Sequence, residues 1–185
     1  MMGGIFAIVG PSGVGKDTLM QAALAEVPDL CLVRRVITRP AAAGGEAFTG
    51  VSPAEFALCD AAGGFALSWQ AHGLFYGIPV QVHDDLAAGR SVLFNGSRAM
   101  LVEAARVFPE LKVLHVTASR AVLEARLLAR GRESTEEIAR RLDRACMKLP
   151  KGLEVITIDN SGSLSAATQA FVDALRLEQE KPKFT

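Results

Sequence analysis

An α/β fold with a central parallel sheet covered on both faces is predicted by three features of the sequence. Short apolar runs alternate with segments of helical length and helical periodicity. Those runs are mostly apolar, as in strands buried on both faces. A glycine-rich loop joins the first run to the first helix, the local order of a βα unit.

Taken in order, Ile5–Val9 is the first strand, closed by glycines. Residues 18–26 read as a helix with Leu19, Ala22 and Ala23 on one face, and Pro28 ends it. Residues 30–37 read as a second strand, although Arg34 and Arg35 interrupt its apolar character. A loop rich in Pro, Ala and Gly spans 38–50. Ser52-Pro-Ala-Glu55 then opens a helix, with proline at its first position and glutamate three beyond the cap. Residues 65–69 read as a strand and 72–79 as a turn rich in glycine and aromatics. Helix 82–88 stops at Gly89, and strand 91–94, helix 99–107, strand 112–116 and helix 121–130 follow. A second, strongly charged helix, 134–148, opens with the capping-box pair Ser134 and Glu137. Strand 155–158 and helix 165–177 complete the series, and the charged tail 178–185 is expected to fray. There is no internal repeat and no interdomain linker, so the 185 residues form one domain.

Composition excludes several classes. The net charge is zero, against the basic excess of a nucleic-acid-binding surface, so no nucleic acid is expected as a partner. No apolar run approaches the length of a membrane span, and no basic region precedes Ile5–Val9, so neither a membrane nor a signal peptide is expected. Cys31, Cys59 and Cys146 are odd in number and widely spaced, which favours buried thiols in a reducing cytoplasm over a disulfide or metal site. Charge is nonetheless clustered. Arg34, Arg35 and Arg39 gather early, and Arg126, Arg130, Arg132, Arg140, Arg141 and Arg144 gather late. Forked guanidinium donors suit phosphate.

Gly10-Pro-Ser-Gly-Val-Gly-Lys-Asp-Thr18 is close to the phosphate-loop pattern G-x-x-x-x-G-K-[ST], with Asp17 in place of the hydroxyl residue. The backbone of Gly10, Pro11, Ser12, Gly13, Val14 and Gly15 suits such a loop, with N–H donors from all but the proline, and Lys16 would reach the β/γ oxygens of ATP at the helix N-terminus. Asp17 has three readings: an acid favoured by the helix dipole, a ligand of Mg²⁺ directly or through water, or a bystander beside the hydroxyl of Thr18. A metal between carboxylate and triphosphate is the most economical of them.

The chain resembles the guanylate kinase family from Ile5 to the last helix. "GPSGVGK", "ITRP" with Gly45-Glu46, "VSPAEF", "HGLFYG" and "RLLARGRESTEEIARRL" carry the resemblance. It implies a three-layer P-loop kinase fold with an inserted acceptor-binding subdomain, about residues 34–90, and a helical lid, about 126–145. It also implies that Thr38, Arg39 and Tyr76 hold the acceptor's phosphate and that Arg126, Arg130 and Arg141 act on the ATP side and lid. Asp159 and Asn160 match the segment beside the adenine. Arg35 joins the phosphate contacts by its proximity to Arg39.

The departures are coordinated. The family's second arginine after "TTR" is Ala42, its guanine-reading glutamate aligns with Leu67, and the hydroxyl after "YG" is Ile78. Its "LDID" becomes Phe94-Asn-Gly-Ser97. Buried polar groups left unpaired are expensive, so a site that drops both base contacts is not built for guanine. Glutamate at 67 with serine at 78 is expected to begin to admit that base. "GKDT", "FALSWQAHGLFYGIP" and "LFNGSRAML" are similar instead to a subgroup tied to phosphonate breakdown, the ribose 1,5-bisphosphate phosphokinases. This similarity implies ATP- and Mg²⁺-dependent phosphorylation of a small phosphorylated sugar, with Asn95, Ser97 and Arg98 facing its hydroxyls or second phosphate. A guanylate or other nucleoside monophosphate kinase, and a non-catalytic interaction module, are the alternatives. Either a monomer or a homodimer is compatible with the sequence. His72 is read as structural or substrate-polar, His83 and His115 as ordinary surface or core residues, and Trp69 and Phe75 as packing. Glu133, Glu136 and Glu137 are read as helix-start residues paired with arginines.

Overall fold

The computed structural model describes residues 3–40, 47–131, 134–145 and 148–180. Ala42, Gly45, Glu46, Arg132, Glu133 and Cys146, named above, lie outside them. In chain order the first half holds β1 (Ile5–Val9), α1 (Lys16–Glu26), β2 (Leu30–Leu32), β3 (Val36–Ile37), β4 (Thr49–Gly50), α2 (Pro53–Ala61), β5 (Phe65–Ala71) and β6 (Leu74–Pro79). The second half holds α3 (Val82–Ala87), β7 (Ser91–Asn95), α4 (Leu101–Val107), β8 (Lys112–Thr117), α5 (Arg120–Arg130), α6 (Thr135–Ala145), β9 (Glu154–Asp159) and α7 (Leu164–Glu180).

Five strands form the predicted parallel sheet, in the order β2-β7-β1-β8-β9. β1 runs through its centre, with Ala7 opposite Phe94 on one side and Val113 on the other. Its five residues are all buried, and their period-two alternation feeds two cores. Phe6 and Ile8 enter one with Leu19, Leu123, Leu127 and Phe171. Ile5, Ala7 and Val9 enter the other with Leu86, Phe94 and Leu101. Helices therefore cover both faces. Phe171 is fully enclosed and fastens α7 to the sheet. Phe171→Ala is expected to cost about 3–5 kcal/mol of stability, measured by urea denaturation.

The predicted strand 30–37 is two strands in two sheets. Val33 N–H still donates to Leu93 O on β7, and the chain then leaves the parallel sheet. Val36 and Ile37 pair instead with β4 and β6, in a second sheet of order β4-β3-β6-β5. Between the two segments Arg35 is buried rather than solvated, its guanidinium 5.1 Å from the Tyr76 ring.

The expected turn 72–79 is mostly strand. Only His72 and Gly73 turn, with φ of 52° and 75°, between the last pair Ala71 and Leu74. Two successive positive φ values are the geometry of a tight hairpin with the native twist. The aromatics beyond them are strand residues: Phe75 and Tyr76 face Gln70 and Trp69 across the hairpin.

Helix boundaries follow their caps. α1 starts at Lys16, not residue 18, because Gly15 takes a left-handed cap at φ 96°. Both predicted capping boxes form: Ser52 N–H donates to Glu55 and Glu55 N–H to Ser52 Oγ, and Ser134 and Glu137 exchange the same bonds. Glu137 thus closes a cap, and among the described residues an ion pair joins Asp143 on α6 to Arg120. A 3₁₀ turn, Arg98–Met100, leads into α4. α7 continues through 178–180, further than the fraying tail predicted there. Among the described residues no helix is long and apolar enough to cross a membrane.

Candidate active site

The loop after β1 is pressed against the sheet. A Cβ at Gly10 would stand 2.4 Å from Val116 O, so only glycine permits this approach. Lys16 Nζ folds back over the loop and donates to Gly10 O at 2.9 Å and Pro11 O at 3.2 Å. Support comes from behind. Asn160, 1% exposed, donates through Nδ2 to Val14 O at 2.7 Å. Arg126 donates to Val14 O and to Asn160 O at 3.0 Å. Asp159 accepts from Ser161 N–H, which turns the chain after β9. Arg126 and Asn160 therefore stand behind the loop, where they fix its shape, and Asp159 holds the turn beside Asn160.

In front of the loop lies a cleft of about 750 Å³, the size of a small-ligand site. Among the described residues its cationic lining is Lys16, Arg35, Arg98, Arg141 and Arg144, and no Asp or Glu joins them. Five positive charges face one space in a chain whose net charge is zero. Neutral groups are among the partners that hold these cations in place. Arg141 on α6 donates to Ser12 Oγ at 2.7 Å, a bridge from helix to loop. Arg98 donates to Arg144 O and Ala145 O, the C-terminal carbonyls of α6, where a cation meets the negative end of the helix dipole. Arg35 lies against the faces of Trp69 and Tyr76.

Of the residues singled out from sequence, Gly10, Pro11, Ser12, Lys16, Arg35, Tyr76, Asn95, Ser97, Arg98 and Arg141 line this one cleft. Thr38 and Arg39 do not. They line a smaller cavity of about 360 Å³ with Ser52 and Glu55. Thr38 Oγ1 accepts from Phe75 N–H, and Arg39 covers the Phe48 ring at 4.3 Å. Gly13, Val14 and Gly15 form the back of the loop. Asp17 and Thr18 are exposed on the first turn of α1, beside the cleft but outside its lining, and Arg130 is exposed on α5. Trp69, Gln70, His72 and Arg144 line the cleft without having been singled out as site residues. Arg144 had a legible signal, since it follows Arg141 by three on one helix and so shares its face.

No protein-family profile matches the chain. Whole sequences do. The chain is 50% identical over 178 residues to the ribose 1,5-bisphosphate phosphokinase of Ruegeria sp. (strain TM1040), spanning 94% of each. It is 46% identical over 175 residues to that of Agrobacterium fabrum, across 93% of this chain and 96% of the other. The chain belongs to the ribose 1,5-bisphosphate phosphokinase family. Its fold is also that of guanylate kinase: the Anaplasma phagocytophilum structure matches with a TM-score of 0.74, over 97% of this chain and 88% of that one, at 20% identity.

In this phosphokinase-family chain the two positions aligned with guanine-reading groups are core. Leu67 (4% exposed) and Ile78 (0%) are cross-strand neighbours, packed with Val82 and Leu86.

His115 on β8 is half-buried near Arg98. Burial first, and then the Arg98 charge, push its pKa below the ordinary value of 6.5. Between the folded and unfolded pKa values the unfolded chain binds more protons, so stability rises with pH there and falls on acidification below about 6.5. His115→Gln is expected to flatten that acid limb in thermal melts between pH 7 and 5. An unchanged limb would exclude His115 as its source.

Proposed function

We propose that this chain transfers the γ-phosphoryl group of ATP to the C1 phosphate of ribose 1,5-bisphosphate, giving 5-phospho-α-D-ribose 1-diphosphate (PRPP) and ADP. The observation that carries the reading is the cleft running from the phosphate loop to the second sheet, whose described lining holds five cations and no acid. Two polyanions must be brought together there, and arginines and a lysine are the groups that offset their repulsion.

In this reading Gly10 to Gly15 and Lys16 hold the ATP phosphates. The second sheet, within about residues 34–90, is the acceptor-binding subdomain, and residues 126–145 are the lid. Arg141 bridging to Ser12 supports that lid assignment. Arg35, Tyr76, Asn95, Ser97 and Arg98 face the acceptor. Thr38 and Arg39 belong to this set if the second sheet closes on the ligand. The attacking atom is an oxygen of the C1 phosphate, already ionised near neutrality, because the second pKa of a phosphate ester is about 6. No general base is needed. A bond forms between that oxygen and the γ-phosphorus, the bond to the β–γ bridging oxygen breaks, and ADP carries away the electron pair. Catalysis is then alignment and charge compensation. Arg126 and Asn160 contribute by holding the loop, and Arg130 joins from α5 only on closure of the lid.

Asp17 and Thr18 offer a carboxylate and a hydroxyl, hard oxygen donors that fit Mg²⁺ sharing its shell with phosphate and water. Bound Mg²⁺ would supply charge neutralisation on the β and γ oxygens. Asp17→Ala is expected to raise the Mg²⁺ concentration needed for half-maximal turnover; an unchanged requirement would remove Asp17 from the metal's shell. A reducing cytoplasm suits the free thiols of Cys31 and Cys59. The reading holds for a monomer and a homodimer alike.

The test is ADP release with ribose 1,5-bisphosphate, GMP and AMP as acceptors, with the product identified by mass. Turnover of ribose 1,5-bisphosphate to PRPP is expected. Brisk turnover of GMP alone would restore the nucleoside monophosphate kinase reading, which the guanylate kinase likeness favours. No transfer to any acceptor would favour an interaction module.

A further inference from the structure

Among the described residues that line the cleft, two polar atoms are left without a protein partner. The Trp69 indole N–H and the Ser97 hydroxyl oxygen are both shielded from solvent, and neither has a hydrogen-bond partner among the described residues. Both residues line the cleft, Trp69 from β5 of the second sheet and Ser97 from just beyond β7 of the parallel sheet. Buried polar groups are nearly always paired, so two orphans on residues lining one cleft point to a ligand that pairs them.

The chemistry of that ligand can be read from the donors. An indole N–H only donates, and therefore requires an acceptor oxygen; a hydroxyl both donates and accepts. The indole is also held in place. Its ring stacks on Tyr76, its cross-strand partner, at 5.3 Å between centroids and 9° between planes. The Arg35 guanidinium lies 5.8 Å from the Trp69 centroid and 5.1 Å from that of Tyr76. An acceptor oxygen beside such a cation is best anionic. Packing alone does not require the nitrogen, because a phenylalanine would fill much of the same apolar space.

We propose that Trp69 Nε1 and Ser97 Oγ are specificity-determining contacts to the non-reacting, ribose 5-phosphate portion of the acceptor. This rests on the sugar-phosphate reading above. Trp69 gives a hydrogen bond to an oxygen of that portion next to Arg35, and Ser97 meets a neighbouring oxygen from the parallel sheet. Between them they take the place of the base-reading pair whose positions, 67 and 78, are apolar core here.

Trp69 is the only tryptophan in the chain, so its emission reports this contact directly. In the wild-type protein, ribose 5-phosphate is expected to change that emission saturably, whereas ADP alone is not. Trp69→Phe is expected to raise KM for ribose 1,5-bisphosphate about ten-fold with KM for ATP unchanged, and Ser97→Ala about five-fold. Emission that ignores ribose 5-phosphate, with acceptor KM within two-fold of wild type in both variants, would overturn the proposal and leave Trp69 a packing residue. Should Trp69→Phe fail to fold, Ser97→Ala and the emission titration decide between the two outcomes. Absence of any turnover with ribose 1,5-bisphosphate would defeat the assigned reaction separately, since the emission titration needs no catalysis.

Discussion

Lys16→Ala is expected to lower kcat with ribose 1,5-bisphosphate and ATP about a thousand-fold while leaving the protein folded. Two effects of the substitution must be separated. The ammonium donates to Gly10 O and Pro11 O, and these bonds are worth roughly 1 kcal/mol each, so the loop loosens slightly. Removing a cation aimed at charge that develops during transfer typically costs about 3–4 kcal/mol of transition-state stabilisation. The second effect dominates, and it appears in kcat rather than in the melting temperature. Gly15 in its left-handed cap, together with Asn160 and Arg126 behind Val14, keeps the loop in shape without the lysine. ADP release and thermal melts on the same preparation separate the two contributions. Turnover within ten-fold of wild type would remove Lys16 from the transfer step and favour a non-catalytic module.

The parallel sheet was legible because its strands have apolar centres and are flanked by helices with recognisable ends. Ile5–Val9, the two capping boxes and the glycine-to-lysine loop stand where local chemistry places them. The second sheet was less legible. Two of its strands are only two residues long: Val36 and Ile37 stand just beyond a pair of arginines, and the burial of Arg35 depends on rings contributed by β5 and β6. No local pattern announces an arginine that lies under aromatics from distant sequence. The cleft shows the same division. Its loop half could be read from one motif, and Arg98 and Arg141 from the resemblance. That Arg98 grips the end of α6, and that Asn160 and Arg126 brace the loop from behind, depends on contacts spanning 34 to 146 residues, which spacing along the chain does not encode.

Leu67→Glu is the substitution for which sequence alignment and structure predict opposite results. By alignment it restores a base-reading carboxylate, and with Ile78→Ser it should begin to admit guanine. In the fold, residue 67 is 4% exposed and faces Ile78, Val82 and Leu86. A carboxylate there has no cation among those neighbours, and an uncompensated buried charge costs about 3–5 kcal/mol. That is a large fraction of the 5–15 kcal/mol that holds a typical domain together. The variant is therefore expected to unfold at much lower urea concentration and to gain no GMP turnover. Its pH dependence identifies the cause. Burial raises the carboxyl pKa in the folded state, so the folded chain binds more protons than the unfolded one between the two values. The deficit should accordingly shrink as pH falls from 8 towards 5, the reverse of the acid limb assigned to His115. Leu67→Gln, which cannot ionise, should lack that recovery. A Leu67→Glu protein within about 1 kcal/mol of wild type that also phosphorylates GMP would place residue 67 in the acceptor site and require the hairpin to present its other face.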